Sequence, residues 1–183
     1  MKRIIVLSLI SLNLFGKLDD SCFTSALTAG YVFKHDCAFK NVYGHGLANV
    51  ITGDFCYYRW NLWGIGTKIS YWHARGKTDF LQLPTVLKEV PITFYLRRLK
   101  NFKWFQAYAS FGGGVIWAKE TSYLGEVRIH KGIGEAEAGI NYCIWNRVSL
   151  TGAFRYIFPD PCHCCEKINV GGYELRAGFE YSF

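Results

Sequence analysis

The stretch that decides the fold is residues 173–183, with the sequence YELRAGFEYSF. Aromatic or aliphatic side chains occupy every second position, and the positions between them hold two glutamates, an arginine, a glycine and a serine. Because successive side chains of a strand point to opposite faces, this pattern predicts a strand with one apolar, aromatic face and one polar face.

The same period of two recurs along the chain, and we find no convincing helical period. Together with the C-terminal segment, the predicted strands are residues 25–34, 49–59, 63–72, 86–97, 104–118, 132–144 and 148–158. Short links (60–62, 98–103, 145–147) alternate with longer polar links (35–48, 73–85, 119–131, 159–171). Short turns on one side and long loops on the other are typical of an outer-membrane β-barrel, so the prediction is an all-β, antiparallel, eight-stranded up-and-down transmembrane barrel.

Three observations predict that the apolar face points outward to lipid. An eight-stranded barrel is only just wide enough for ordinary side chains, and the apolar face carries too many large rings to fit inside. The six tryptophans fall near predicted strand ends, where two interfacial belts are expected. The opposite face carries both signs of charge, which can pair in a narrow lumen. The predicted lumen charges are Asp54, Lys68, Glu89, Arg97, Glu135, Glu137, Arg155, Glu174, Arg176 and Glu180.

The N-terminus predicts a leader. Met1, Lys2 and Arg3 precede twelve mainly apolar residues, 4–15, which is too short to span a membrane as a helix. We therefore predict a secretory signal peptide over residues 1–16 and a barrel domain over 17–183, the alternative being a buried first strand. In the fourth strand, Pro91 lacks a ladder donor, so we expect a bulge or a local break there.

The leader, the closing stretch from Glu174 to Phe183 and the fourth-strand sequence VPITFY (90–95) carry a resemblance. The chain resembles the small eight-stranded outer-membrane barrels of the opacity-protein, OmpA-transmembrane and OmpX/OmpW type. The resemblance implies an outer-membrane location among lipid and lipopolysaccharide, without a cofactor. It also implies surface adhesion, envelope integrity or narrow solute passage, without choosing among them.

Seven cysteines suit an exported protein, and their odd number leaves at least one thiol free or paired with another chain. The disulfide candidates are Cys22, Cys37, Cys162, Cys164 and Cys165, which also allows a disulfide-linked envelope partner. The alternative for the Cys-His-Cys-Cys run, with His163, is a zinc or copper site. By parity, Cys56 and Cys143 face the lumen as small packing residues.

The remaining chemistry argues against an enzyme. Ser70 and His73 fall on opposite faces, so they do not form a nucleophile and base, and Glu135 and Glu137 are more simply an ion network with the lumen arginines. The scattered basic residues show no nucleic-acid footprint. The outer-loop cations Lys34, Lys40, Arg75, Lys77, Lys119, Arg128 and Lys167 are interpreted as solvated, or as contacts for anionic head groups or polysaccharide.

The sequence thus predicts a non-enzymatic outer-membrane barrel with a filled polar lumen, acting in surface interaction or envelope integrity. The alternatives are a narrow solute channel and, less favoured, a lipid A-modifying enzyme.

Overall fold

The computed structural model describes residues 21–34, 37–44, 46–59, 63–77, 82–123, 125–159 and 171–183. The predicted signal peptide, residues 1–16, lies outside them. The elements in chain order are β1 (Ser21–Phe33), α1 (Cys37–Tyr43), β2 (Leu47–Arg59), β3 (Trp63–Lys77), β4 (Pro84–Asn101), β5 (Gln106–Ser122), β6 (Gly125–Trp145), β7 (Val148–Pro159) and β8 (Gly172–Ser182).

The eight strands form one closed antiparallel barrel in sequence order, with β1 paired to β8. When the register is followed once around the ring, it returns to β1 displaced by ten residues. A displacement of this size in an eight-stranded barrel corresponds to strands tilted about 40° from the axis. The predicted fold class is confirmed.

The outer wall of the barrel is apolar. Large side chains in the middle of the strands are widely exposed, among them Leu27 at 66%, Phe94 at 68% and Phe111 at 66%. Along β2 and β4, exposed positions alternate with buried ones over most of the strand. A closed sheet suits this wall because every backbone donor and acceptor is satisfied between strands. In the described part of the chain, no helix is both long and apolar enough to span a bilayer.

The interior is filled in three layers. Nearest the long loops, an apolar layer includes Val32, Val50, Trp72, Ile116 and Ile157. Below it lie buried charged side chains. Nearest the short turns, Cys56, Tyr58 and Tyr95 form a second apolar cluster.

The structure corrects three predicted loops. Residues 73–85, predicted as a loop, begin and end in strand, since β3 runs to Lys77 and β4 begins at Pro84. Residues 119–131, predicted as a loop, are mostly strand, since β5 and β6 stay paired up to Ser122 and Gly125. Above the hydrocarbon layer a hairpin has no side that faces acyl chains, so its residues need not alternate between apolar and polar. Within residues 35–48, predicted as a loop, the structure contains the seven-residue helix α1.

The ladder between β3 and β4 is interrupted at Pro91. Pairing runs to Ile69 and Ile92 and resumes at Trp72 and Glu89 with unchanged register, so the expected local break occurs without a bulge. The prediction that the tryptophans form interfacial belts is wrong for Trp72, which faces the lumen. This side chain is 1% exposed inside the barrel, where its indole N–H finds a partner.

Candidate functional site

The charged layer of the lumen is built from inward-facing positions of six strands. Lys68 on β3 lies between two glutamates of β6, with its Nζ 3.0 Å from Glu135 Oε1 and 2.7 Å from Glu137 Oε2. All three side chains are fully buried. Residues two apart on a strand share a face, so the β6 glutamates reach the same lysine.

Glu137 is the centre of this layer. Besides Lys68, it accepts hydrogen bonds from Arg176 Nη2 and from Arg97 Nη2, the latter at 3.4 Å. Arg97 Nη2 also lies 2.5 Å from Asp54 Oδ2. One carboxylate therefore faces three cations from three different strands.

Arg155 ties a second set of strands together. It pairs with Glu135 and lies 3.4 Å from Glu174 Oε2, and it donates to Ser70 Oγ at 3.1 Å and to Thr93 Oγ1 at 3.0 Å. Because an unpaired buried charge is costly, such a layer is stable only when it is connected throughout.

The structure places all ten predicted lumen charges inside the barrel, each at most 7% exposed. Eight of them form one connected network: Asp54, Lys68, Arg97, Glu135, Glu137, Arg155, Glu174 and Arg176. Glu180 stands at its edge, 4.0 Å from Arg97 and accepting a 2.8 Å hydrogen bond from Asn141. Glu89 lies apart, nearer the long loops.

Glu89 has a partner that the sequence interpretation missed. Lys34, interpreted as a solvated loop cation, is 3% exposed, and its Nζ lies 2.5 Å from Glu89 Oε2. The lysine also sits 5.1 Å from the Phe39 ring centroid and 5.2 Å from that of Trp72. The signal was available, since Lys34 continues the inward parity of Val32.

Helix α1 closes the long-loop end over this pair. Phe39 is 7% exposed and packs into the apolar layer, and Tyr43 stacks on it with ring centroids 4.6 Å apart. Tyr43 donates a 2.9 Å hydrogen bond to Glu120 Oε1 on β5. Burial raises the pKa of the Tyr43 hydroxyl, which therefore stays protonated as a donor.

The apolar and charged layers are joined by Trp72, whose Nε1 donates to Glu174 Oε1 at 2.7 Å. At the other side of the charged layer, Tyr95 donates to Asp54, and the Arg97 guanidinium lies 4.6 Å from the Tyr95 ring centroid and 4.3 Å from that of Tyr108. The three layers are thus continuous along the barrel axis.

The cysteine predictions meet the structure only in part. Cys22 is a free thiol paired in register with Tyr58 at the short-turn end, so it does not fit a disulfide with Cys37, which begins α1 at the long-loop end. The reason is distance, because β1 runs the length of the barrel between them. Cys56 is a buried free thiol, whereas Cys143 is exposed at the short-turn end and is not a packing residue.

Most of the other metal and disulfide candidates lie outside the described residues. Cys37 begins α1, and Cys162, His163, Cys164 and Cys165 lie outside the described residues. Within the described ranges, no group of three His, Cys, Asp or Glu side chains is placed to hold a metal ion.

The structure does not bring Ser70 and His73 together. Ser70 is buried and hydrogen-bonded to Thr52 Oγ1 at 2.8 Å, whereas His73 stacks against the outward-facing Tyr71. Ser70 therefore acts as a lumen hydrogen-bonding group.

The fold and its filled interior define the class: this is an eight-stranded transmembrane β-barrel of the outer-membrane type. No protein-family model and no curated protein sequence matches the chain. Solved structures do. Neisserial surface protein A superposes with a TM-score of 0.59 at 15% identity, covering 90% of this chain and 100% of that one.

Two further structures share the fold. The attachment invasion locus protein Ail of Yersinia pestis has a TM-score of 0.52 at 18% identity, covering 90% of this chain and all of its own. The N-terminal barrel domain of Pseudomonas aeruginosa OprF has a TM-score of 0.53 at 11% identity, covering 90% and 98%. The chain is thus similar in fold to small outer-membrane barrels.

Proposed function

We propose that this protein is an integral outer-membrane barrel with a sealed lumen, exported by a signal peptide over residues 1–16, that acts in surface interaction or envelope integrity. The observation that carries the proposal is the closure of the lumen by three successive layers. Lipid and lipopolysaccharide are its immediate surroundings.

The filled lumen favours this role over that of a solute channel. An ion crossing the barrel would have to break the Glu137 contacts with Lys68, Arg97 and Arg176, all of which are buried. It would also have to pass Trp72 and Phe39 in the apolar layer. Removing one member of a buried pair leaves an uncompensated charge, so partial opening of the network is disfavoured.

The long-loop end supports an interaction role. The β5–β6 hairpin and α1 lie there, and the exposed cations Lys40, Arg75, Lys77 and Arg128 belong to the same end. Ail has been solved in complex with the heparin analogue sucrose octasulfate, and that structure shares this fold with a TM-score of 0.53 at 16% identity. We therefore propose that the long-loop end binds a polyanionic ligand.

The test of the sealed lumen is conductance across a planar bilayer. Insertion is established first by heat-modifiable migration of the purified protein on a gel. The folded protein should then give no steady single-channel current. A reproducible, ohmic unitary current from the wild-type barrel would contradict the proposal and favour the channel.

A matched pair of variants sharpens this result. Phe39→Ala and Trp72→Ala together remove the two large rings of the apolar layer, and Phe94→Ala with Phe111→Ala remove two rings of the outer wall. Brief current openings are expected only for the first pair, because only that pair thins the seal.

A further inference from the structure

A row of basic residues crosses the outward face of four neighbouring strands. In the strand register His73 on β3 is opposite Lys88 on β4, Lys88 is opposite Lys119 on β5, and Lys119 is opposite Arg128 on β6. The neighbours of these residues along each strand point to the inner side of the sheet, so all four side chains project outward from the barrel wall. We call these four residues the basic row.

The basic row lies just above an aromatic belt. Tyr71, two residues before His73, stacks on it with centroids 6.4 Å apart, and Trp117, two residues before Lys119, meets His130 edge-on at 6.4 Å. Tyrosine and tryptophan favour the boundary between hydrocarbon and head groups. The basic row is therefore at the level of the outer-leaflet head groups.

The tilt of the strands spreads the row in height. With strands tilted about 40°, each step from one strand to the next climbs about 3 Å, so the row rises about 9 Å from His73 to Arg128. Arg75 and Lys77 continue the outward face of β3 above His73 and are exposed. The basic row, together with Arg75 and Lys77, thus extends over the depth of a phosphorylated head group and its first sugars.

Among the described residues, the opposite half of the wall carries no such row of basic side chains. At the same end, the outward positions of β7, β8, β1 and β2 in the described part of the chain hold Tyr156, Phe158, Tyr173, Tyr31, Phe33, Leu47 and Asn49. Basic residues are thus concentrated on β3–β6, which is not expected if they served only to solvate the barrel rim.

The row is only partly neutralised. Glu126 on β6 pairs with Lys119 at 2.5 Å and with Arg128 at 2.5 Å. Among the described residues, no carboxylate lies within ion-pair distance of Arg75, Lys77 or Lys88. A surface cleft lined by His73, Arg75, Leu47 and Asn49 adjoins the lower end of the row. The wall therefore offers both uncompensated positive charge and space for an anionic group.

We propose that the basic row on β3–β6 binds the phosphate groups of a phosphorylated glycolipid in the outer leaflet. The row faces sideways into the leaflet instead of over the barrel mouth, which favours a lipid over a soluble polysaccharide. Each cation near a membrane surface strengthens binding of an anionic head group about fivefold. The proposal goes beyond the sealed-lumen function, because the basic row lies on the outer wall and could bind lipid whether the barrel is sealed or conducts solutes.

The experiment measures retention of lipid by the intact, folded protein in detergent, using native mass spectrometry. The probes are bis-phosphorylated lipid A, the same lipid A stripped of its phosphates, inorganic phosphate and sucrose octasulfate. The wild-type protein should retain at least about ten times as much of the phosphorylated lipid as of the dephosphorylated lipid. This comparison needs no variant, so it stands even if a variant misfolds.

The variant arm compares two triple substitutions with identical charge loss. Lys88→Gln, Lys119→Gln and Arg128→Gln remove the row, and Lys100→Gln, Lys103→Gln and Arg147→Gln remove three exposed cations at the short-turn end. Folding of both is checked by heat-modifiable migration. The first triple should lose retention of phosphorylated lipid A about tenfold or more, and the second should retain it.

Three results would overturn the proposal. Equal retention of both lipids by the wild type would show that the phosphates are not recognised. Displacement of the lipid by millimolar inorganic phosphate would indicate a free-phosphate site. Binding of sucrose octasulfate that depends on the row, with lipid retention unaffected, would assign the row to a sulfated polysaccharide. None of these results bears on whether the lumen conducts, which the bilayer current measures separately.

Discussion

At the scale of single residues, Glu137 shows how the lumen depends on complete pairing. Its carboxylate meets Lys68, Arg97 and Arg176, and each of these side chains is at most 2% exposed. In this network each charged side chain contacts more than one polar partner. Replacing one member therefore affects more than one contact.

We expect Glu137→Gln to lower the free energy of unfolding by about 3–5 kcal/mol, since the shape is kept while three buried cations lose their shared anion. Urea unfolding of the protein in lipid vesicles, followed by tryptophan fluorescence, measures the change. Glu126→Gln is the matched control. Its carboxylate lies on the exposed hairpin, so the same substitution should have little effect. Equal effects at both positions would argue against the buried network as a source of stability.

Two residues illustrate the limit of inference from parity. Alternation predicts correctly that Lys34 points inward if β1 is extended by one residue. A cation next to a predicted loop, however, is usually solvated, and only the fold brings Glu89, 55 positions away, within reach of its Nζ. Trp72 is similar, because the partner of its indole N–H, Glu174, lies 102 positions away in the chain.

At the scale of elements, α1 depends on the glycines that end it. Gly46 has a φ of +70°, which side-chain-bearing residues rarely adopt, and its carbonyl accepts a 2.9 Å hydrogen bond from the Lys34 N–H. A Cβ at Gly46 would lie 2.9 Å from the Lys34 carbonyl oxygen. The turn that returns the chain from α1 to β2 is therefore specific for glycine.

We expect Gly46→Ala to loosen α1, because an alanine at positive φ costs about 1–3 kcal/mol. The measurement is tryptic cleavage after Lys40, which is exposed within α1, with peptides identified by mass spectrometry. Cleavage should become roughly tenfold faster, because destabilising α1 by about 1.4 kcal/mol raises the population of its open form about tenfold. Gly53→Ala is the control, since a Cβ there has its nearest neighbour at an ordinary 3.9 Å. An unchanged cleavage rate in Gly46→Ala would show that the turn does not hold the helix.

The outer ends of the strands were the least predictable elements. The β5–β6 hairpin resembles a polar loop in sequence because neither of its faces meets acyl chains, so the alternation that marks membrane-spanning strands is lost. Its pairing is decided by continuation of the register from below, for example between Thr121 and Glu126.

At the scale of the whole molecule, closure and tilt determine which side chains meet which depth of the bilayer. Leu27 is 66% exposed and lies six residues below the end of β1, about 15 Å from the rim for strands tilted by about 40°. Leu47 is 41% exposed and begins β2 at the rim. The two leucines therefore sample the midplane and the interface of one wall.

We expect Leu27→Arg to destabilise the barrel in a bilayer by about 2–4 kcal/mol and Leu47→Arg by about 0–1 kcal/mol, because an arginine is costly only at the midplane. Urea unfolding in vesicles of defined thickness gives both values. Similar costs at the two positions would show that the wall does not lie in hydrocarbon and would contradict a transmembrane orientation.

The sequence by itself determined the strand number, the antiparallel order and the assignment of faces, because a period of two is a local property that strand geometry imposes. It also identified ten inward charges. Only the tertiary structure decided which charges pair, that Lys34 meets Glu89 and Trp72 meets Glu174, that α1 covers one end, and that basic residues from four strands form one row. These features depend on the register and closure of the barrel, which join positions far apart in the chain.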